Sequence, residues 1–359
     1  MIMESVERIK QFSNANGTAG FEGEVVRLFA EQTEGLGELT VDGMFNAILR
    51  RKGNTGKRPV VQLDAHSDAV GLLTQAVRPN GMLKFVTLGG MVPTNLPAMK
   101  VRVRNQDGDY LPGVVATKPP HFMTAAERNA VPQIAEMSVD IGSSSREETI
   151  QDFKVDTGCP IFVDVDFEYN EQKGLLFGKD FDDRLGAAAM VETLVQLADK
   201  NLAVDVAAGL SAQEEVGLRG AYVTARKIDP DLCIVLEGVP ADDTFEPDWL
   251  SQTRMGGGPM LRDYDTTFVA NPLFQTYATN LATELGIPYT RAVRTGGGQD
   301  GAAIGNWKGA PTVVVGIPVR YEHTPYNWAN LADYKNAVAL TVALLERLDA
   351  DTISGFSAF

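Results

Sequence analysis

The chain has 359 residues, of which 44% are hydrophobic and 22% are charged, and its formal net charge is -15. These proportions are typical of a soluble globular protein, and the length favours one large domain with a smaller one. The negative charge argues against binding to nucleic acid or to anionic membranes, because both carry charge of the same sign.

The sequence shows no sign of a targeting or membrane-spanning segment. The N-terminal stretch MIMESVERIKQF lacks an apolar run with a cleavage site, and nowhere does an apolar run approach the ~18 residues of a transmembrane helix. Cys159 and Cys233 form no CxxC pair, and we expect both to be buried thiols in a reducing compartment. We therefore expect a cytoplasmic protein.

Helices and strands alternate in the first part of the chain. Apolar spacing predicts helices over 3–14 and 22–36. Short strands are predicted at 39–41 and 46–50, and the apolar run at 59–64 predicts a buried strand. This pattern is typical of an α/β domain, in which buried strands deliver chemistry at their C-terminal ends.

The sequence pattern changes over residues 72–165, where short segments of alternating apolar and polar residues are separated by Gly, Pro and Asn. Such segments predict a β-rich, barrel-like domain inserted between the two parts of the α/β domain, 1–71 and 166–359. A short helix is predicted to begin near 144–149, and a strand at 161–169 is predicted to lead back to the main sheet.

The α/β pattern then resumes and predicts a mixed-sheet α/β/α fold. Long apolar periodic stretches predict helices, and short apolar runs predict strands. The predicted helices are 183–199, 221–226, 272–285 and 331–348, and the predicted strands are 204–210, 231–236 and 312–315.

Two of the three histidines follow predicted buried strands. His66 follows the strand at 59–64, and Asp68 lies two residues further on. Alternate residues of an extended segment point to the same side, so the carboxylate could orient the imidazole as the second shell of a metal site does. His323 follows the strand at 312–315.

Three acids, Asp180, Asp182 and Asp183, precede the predicted helix at 183–199. Helix capping would need only one of them. Three carboxylates this close repel one another unless a cation, either Arg184 or a metal ion, neutralises part of their charge.

Adjacent acids follow the strand at 204–210. Glu214 and Glu215 form the pair that metal-assisted hydrolysis needs, in which one carboxylate binds the ion and the other transfers a proton. Two solvated glutamates on a loop are the simpler alternative. Glu237 closes the next buried strand, and with the two histidines these acids are enough for two divalent ions, for which zinc, cobalt and manganese are suitable.

The motifs AHSDAVG, DFDDRLG, QEEVGLRGA, VLEG and RYEHTP, in this order, resemble those of the M42 metallo-aminopeptidases. That family includes glutamyl, deblocking and tetrahedral aminopeptidases and CelM-type members labelled endoglucanases. The resemblance extends over nearly the whole chain. It implies a dinuclear enzyme that removes N-terminal residues from short peptides, with an inserted domain that mediates dimerisation and often assembly into dodecamers.

The resemblance also assigns residues, five as metal ligands and two as catalytic or orienting groups. His66 and His323 would bind one ion each, Asp182 would bridge both, Glu215 would complete the His323 site, Glu237 would complete the His66 site, Glu214 would be the general base, and Asp68 would orient His66. Three positions depart from the family pattern, in which Glu, Asp and Thr are usual: Ala69, Glu237 and Gln299.

Other functions remain open. M20-type carboxypeptidases and deacylases use a similar order of ligands, but their extra domain follows the paired glutamates, whereas here the long insertion separates Asp68 from Asp182. A glycosidase could use paired carboxylates, but it would leave His66 and His323 unexplained. A metal-stabilised protein without activity would have lost the base, and Glu214 is present.

Two further groups have more than one interpretation. His121 either packs beside Pro119 and Pro120 or reaches the active site of a neighbouring subunit. Four arginines either have structural roles or place positive charge in a substrate pocket that favours an acidic N-terminal residue: Arg254, Arg262, Arg294 and Arg320.

Overall fold

The computed structural model describes residues 2–357. The strands in this part of the chain are numbered in chain order. They are β1 (Gly37–Val41), β2 (Ala47–Arg51), β3 (Val60–His66), β4 (Gly71–Val77), β5 (Leu83–Leu88), β6 (Lys100–Arg104), β7 (Tyr110–Val115), β8 (Val139–Asp140), β9 (Pro160–Val163), β10 (Glu168–Asn170), β11 (Leu175–Gly178), β12 (Asp205–Ser211), β13 (Leu232–Pro240), β14 (Met260–Tyr264), β15 (Thr290–Val293), β16 (Thr312–Arg320) and β17 (Asn327–Asn330).

The α-helices of the same residues are numbered in the same way. They are α1 (Ile2–Asn14), α2 (Gly23–Gln32), α3 (Ala125–Asn129), α4 (Arg146–Gln151), α5 (Phe181–Gln196), α6 (Arg219–Ile228), α7 (Pro272–Glu284), α8 (Gly301–Lys308), α9 (Leu331–Arg347) and α10 (Ala350–Gly355). Among residues 2–357, no helix is both long and apolar enough to cross a bilayer.

Four parallel strands, β12, β3, β13 and β16, form the centre of an 11-stranded mixed sheet. Their register places Ser211 beside His66 and Glu237 beside Gly316. Because parallel strands end at the same edge of the sheet, the residues that follow them collect in one crevice. The apolar runs in these strands are explained by burial on both faces.

Helices cover both faces of this sheet. One face is packed by α1, α2, α5, α7 and α9, and the other by α6 and α8. The central helix, α5, lies directly on β3 and β13. Its Ala187, Ala188 and Ala189 are fully buried, because small side chains let the helix approach the sheet closely.

The inserted segment forms a closed barrel in the order β4-β5-β8-β7-β6-β9. Its interior is filled by apolar side chains, including Leu72, Phe85, Val101, Val139 and Ile161. Closure pairs every strand edge, which removes the exposed edges that an open sheet would leave. The predicted α/β fold with a β-rich insertion is confirmed. Cys159 and Cys233 are free and buried, as expected.

The prediction of one strand over 161–169 is wrong. β9 ends at Val163 and β10 begins only at Glu168. The reason lies at Asp164, whose carboxylate turns toward the barrel and forms ion pairs with Lys100, at 2.9 Å, and with Arg102. The chain therefore leaves the barrel at this point and joins the main sheet as a separate strand.

The second helix is also shorter than predicted. α2 ends at Gln32, whereas the prediction extended to Leu36. The hydroxyl of Thr33 donates a hydrogen bond to the carbonyl of Phe29 at 2.7 Å. Gly35 then adopts a φ of +78°, which begins the turn into β1.

Candidate active site

His66 is the last residue of β3 and is almost fully buried. Its Nδ1 lies 2.9 Å from the backbone carbonyl oxygen of Asp68. Its Nε2 lies 3.0 Å from a carboxylate oxygen of Asp182. The Asp68 carboxylate is further from Nδ1, at 3.7 Å, so the hydrogen bond that orients the ring comes from the carbonyl of Asp68 and not from its side chain.

His323 lies two residues beyond Tyr321, in the turn that follows β16, and has a φ of +57°. Its Nδ1 is 2.9 Å from the carbonyl oxygen of Gly90, in the segment that follows β5 of the barrel. Its Nε2 is 3.2 Å from the second carboxylate oxygen of Asp182 and 3.3 Å from Glu215 Oε1. The two histidines therefore contact opposite oxygens of one carboxylate.

Asp182 occupies a non-helical turn before the regular part of α5, with φ -88° and ψ 106°. Gly238 of β13 leaves room for this turn. A Cβ at Gly238 would lie 2.5 Å from the carbonyl oxygen of Phe181 and 2.9 Å from Asp182 Cα. The close approach of strand and turn thus needs glycine and fixes where the Asp182 carboxylate lies.

The contacts of the two rings indicate a cation between them and Asp182. Each Nδ1 faces a carbonyl oxygen, which can only accept, so each Nδ1 carries a hydrogen. In a neutral ring Nε2 is then an acceptor, yet both Nε2 atoms face the Asp182 carboxylate, which is also an acceptor. A proton or a metal ion must separate these pairs.

The distances fit a metal ion. Two ligand atoms that are each about 2.1 Å from the same ion lie roughly 3.0–3.5 Å apart. The contacts of 3.0, 3.2 and 3.3 Å between histidine nitrogens and carboxylate oxygens fall in this range. Asp182, Glu215 and His323 can each offer one ligand atom within 4.8 Å of the others. These residues can hold a metal ion.

The charges of the site also favour a cation. Burial alone would lower the pKa of His323, but hydrogen bonds to Asp182 and Glu215 raise it to about 12. Burial alone would raise the pKa of Asp182, but His323 and His66 hold it well below its usual range. The raised pKa of His323 reflects the negative charge of Asp182 and Glu215, and the lowered pKa of Asp182 shows that positive charge beside it is favourable. A divalent cation at this position would supply that positive charge.

Glu214 and Glu215 lie in the loop after β12, and Asp68 holds this loop in place. The Asp68 carboxylate accepts hydrogen bonds from the backbone amides of Glu214, at 2.8 Å, and Glu215, at 3.1 Å. The Glu214 carboxylate lies 3.9 Å from His66 Nε2. Burial raises the pKa of Glu214 well above its usual value, and the neighbouring Glu215 raises it further.

Glu237 lies inside a strand and not at its end, because β13 continues to Pro240. Its side chain is buried, and its Oε2 has no hydrogen-bond partner among residues 2–357. Burial raises the pKa of Glu237 to about 8, although the Arg262 guanidinium opposes that shift. Glu237 lines the cavity, but among residues 2–357 it forms no cluster with His66 in which all ligand atoms lie within 4.8 Å of one another.

These side chains line a cavity of about 490 Å³. Asp182, Glu215 and His323 line it together with a glycine-rich segment, 296–298. Arg262, Arg294 and Glu322 also border it. Burial raises the pKa of Glu322 well above its usual value, with the charge of Asp182 as the next cause.

The four arginines considered for a substrate pocket each form an ion pair with a carboxylate of this chain: Arg254, Arg262, Arg294 and Arg320. Two of them lie away from the cavity wall. Arg254 is paired with Asp248 at 3.5 Å, and Arg320 is paired with Asp243 at 2.7 Å. Both are therefore bound to protein acids.

His121 is exposed, on a segment of residues 117–136 that is largely exposed as well. This exposure does not decide between packing beside Pro119 and Pro120 and reaching the active site of a neighbouring subunit. The His121 side chain is accordingly open to solvent or to another molecule.

Asp183 and Arg184 position the site, a role that the sequence alone did not indicate. Asp183 accepts hydrogen bonds from the amides of His66, Gly186 and Gly238, at 3.0, 2.9 and 2.8 Å. Arg184 is fully buried and donates to backbone carbonyls of Ser67 and Gly17. An Asp-Asp-Arg run with all three side chains buried is a signal for such a role, but burial is not readable from the sequence.

Comparison with known proteins agrees with this geometry. The family model described as M42 glutamyl aminopeptidase matches residues 46–340. A TET aminopeptidase from a marine sediment archaeon of the Thaumarchaeota is 35% identical, with a TM-score of 0.93 and coverage of 98% of this chain and 99% of that one.

Two other solved structures are similar to this chain at 26% identity. One is the TET1 peptidase of Pyrococcus horikoshii, with a TM-score of 0.86 and coverage of 96% of this chain and 100% of that one. Its title says that it can assemble into a tetrahedron or a large octahedral shell. A Thermotoga maritima protein titled an endoglucanase has a TM-score of 0.77, with coverage of 97% and 99%. With the family match extending over most of the sequence, the chain belongs to the M42 glutamyl aminopeptidase family and is a hydrolase that acts on peptide bonds.

Proposed function

We propose that the protein is a dinuclear metal-dependent aminopeptidase in which Glu214 is the general base. One observation carries this proposal: Asp182 presents one carboxylate oxygen to His66 and the other to His323, at 3.0 and 3.2 Å. A carboxylate shared in this way is suited to bridge two ions, one on each side. Glu215 Oε1 lies 3.3 Å from His323 Nε2, which supports Glu215 as a ligand of the same ion as His323.

The second ion would be held by His66, Asp182 and Glu237. The buried, unpartnered Oε2 of Glu237 supports this role, because a carboxylate oxygen without a partner is unfavourable unless it receives one. Histidine and carboxylate ligands in this mixture suit zinc, cobalt or manganese. When bound, the ions polarise the scissile carbonyl and lower the pKa of water.

The position of Glu214 supports a role in proton transfer. Glu214 is close to His66 but is not needed as a ligand, and its raised pKa makes it a stronger base than an exposed glutamate. We propose that Glu214 takes a proton from the attacking water and passes it to the leaving amine as the C–N bond breaks. Asp68 keeps Glu214 and Glu215 in position through their backbone amides.

The barrel is proposed to mediate self-association. The segment 117–136, which extends from it, exposes 72% of Phe122 and 55% of Val131. Apolar side chains exposed to this extent are typical of contact surfaces. The tetrahedron and octahedral shell named for the P. horikoshii relative support self-association, and we propose that the barrel forms a dimer from which a larger shell such as a dodecamer is built.

The metal-dependent function can be tested against its alternatives with one set of substrates. Release of amino acids is measured from free and N-acetylated peptides and from carboxymethylcellulose, with and without a chelator. We expect cleavage of free peptides from the N-terminus that is lost on chelation. Release from the C-terminus would support the M20-type alternative, and chelator-resistant cleavage of cellulose would support an endoglucanase.

The role of Glu214 has its own test. Glu214→Gln keeps the size of the side chain and removes its basicity. We expect metal content to stay unchanged while kcat falls by about two to four orders of magnitude. Retention of wild-type kcat by a fully metal-loaded variant would refute this role.

A further inference from the structure

The cavity carries more acidic groups than the proposed reaction uses. Five carboxylates line it, and the proposed function assigns four of them. Asp182, Glu215 and Glu237 are the ligands and Glu214 is the base. The fifth, Glu322, has no part in holding metal or in moving protons.

Glu322 has no partner of its own within the described chain. It lies between Tyr321 and His323, whose φ angles are +63° and +57°, so the turn that presents it is tightly defined. Its Oε2 is buried and forms no hydrogen bond, and neither oxygen forms an ion pair among residues 2–357. A buried carboxylate oxygen without a partner is unfavourable, so we expect its partner to arrive with a ligand.

Both arginines that border the cavity form ion pairs with acids of this chain. Arg262 forms an ion pair with Asp265 at 3.2 Å, and Arg294 forms one with Asp242 at 2.8 Å. Neither forms an ion pair with Glu322. Each arginine on this wall thus has a protein acid as its ion-pair partner, although its Nε is buried without a hydrogen-bond partner, whereas Glu322 forms no ion pair among residues 2–357.

We propose that Glu322 binds a primary ammonium group of the peptide substrate. This inference rests on the proposed aminopeptidase function and adds the group that the cavity recognises. Two sources carry this chemistry: the α-ammonium of every unblocked peptide, and the side-chain ammonium of an N-terminal lysine. An ammonium group would give the Glu322 carboxylate the charge-assisted hydrogen bond that it lacks.

The test uses Glu322→Gln, which keeps the shape of the side chain and removes its charge. KM and kcat/KM are measured on the 4-nitroanilides of leucine, lysine and glutamate, with metal content measured on the same samples. We expect kcat/KM to fall at least about tenfold, mainly through KM, with metal content unchanged. Equal falls on all three substrates assign the α-ammonium, and a fall confined to the lysine substrate assigns the side chain.

Two further variants make the result specific. Glu322→Asp keeps the charge, and we expect it to recover part of the loss. Glu171→Gln removes an exposed acid from the turn between β10 and β11, and we expect no change. An unchanged kcat/KM for Glu322→Gln on every substrate, or a loss that follows metal loss, would overturn the role of Glu322. A wild-type protein without chelator-sensitive peptidase activity would instead contradict the proposed function, and this role with it.

Discussion

The carboxylate of Asp183 accepts a hydrogen bond from the backbone amide of His66 at 3.0 Å, across 117 residues of sequence. The same carboxylate accepts from Gly186 and Gly238, so a single side chain joins α5 to β3 and β13 beside the proposed metal ligands. The position of Asp182 therefore depends on the hydrogen bonds that its neighbour Asp183 accepts.

Asp183→Ala is predicted to destabilise the protein by about 3 kcal/mol or more. The substitution leaves three buried amides without an acceptor, and each costs about 1–3 kcal/mol. Urea unfolding measures the loss. Asp183→Asn provides the comparison, because its remaining carbonyl oxygen still accepts from Gly186 and Gly238. Equal stability of wild type and Asp183→Ala would contradict this role.

Asp68→Ala is predicted to lower kcat/KM by about 10–100-fold, the usual effect of removing a group that orients metal ligands. The loss follows because the amides of Glu214 and Glu215 lose their acceptor and the loop moves. Ser67→Ala is the control, since its hydroxyl bonds to the carbonyl of Ser211 and not to the loop. Full activity of Asp68→Ala would show that the loop is held by other contacts.

Gly238→Ala is predicted to cost about 1–3 kcal/mol of stability through overpacking and to lower activity as well. The new methyl group would press on Phe181 and Asp182, at 2.5 and 2.9 Å. Gly43→Ala is the matched control, because a Cβ there meets no atom within 4 Å. Thermal unfolding and peptidase assays on both variants check the prediction, and it fails if the two variants behave alike.

His323→Ala and His66→Ala are predicted to lose different metal ions. Each should lose the ion on its own side of Asp182, so that one ion per subunit remains. His323 also joins the site to the barrel-side segment through Gly90, so its loss should loosen that segment too. Metal analysis and amide hydrogen exchange near Gly90 test this, and loss of both ions in each variant would argue against two separable positions.

Much of the fold could be predicted because buried strands and amphipathic helices leave periodic apolar patterns. The run at 59–64 and the periodic stretch at 331–348 became β3 and α9. The prediction of one strand over 161–169 failed because the Asp164 side chain pairs with Lys100 and Arg102, which lie more than sixty residues away in sequence. Such long-range ion pairs leave no local pattern.

The approach of His66, Asp182 and His323 follows from strand ends that meet at one sheet edge, so their grouping could be anticipated. The role of Asp183 could not, because an acid before a helix looks the same whether it caps the helix or accepts amides from two strands. Nor could the engagement of Arg262 and Arg294, since pairing with Asp265 and Asp242 depends on side-chain placement.

Metal content per subunit, measured by mass spectrometry on wild type and Asp182→Asn, tests the central claim most directly. If the Asp182 carboxylate bridges the sites of His66 and His323, wild type should hold two divalent ions and the variant should lose affinity for both together. A wild-type protein that binds no divalent metal, or a variant that keeps two ions at full affinity, would contradict the account.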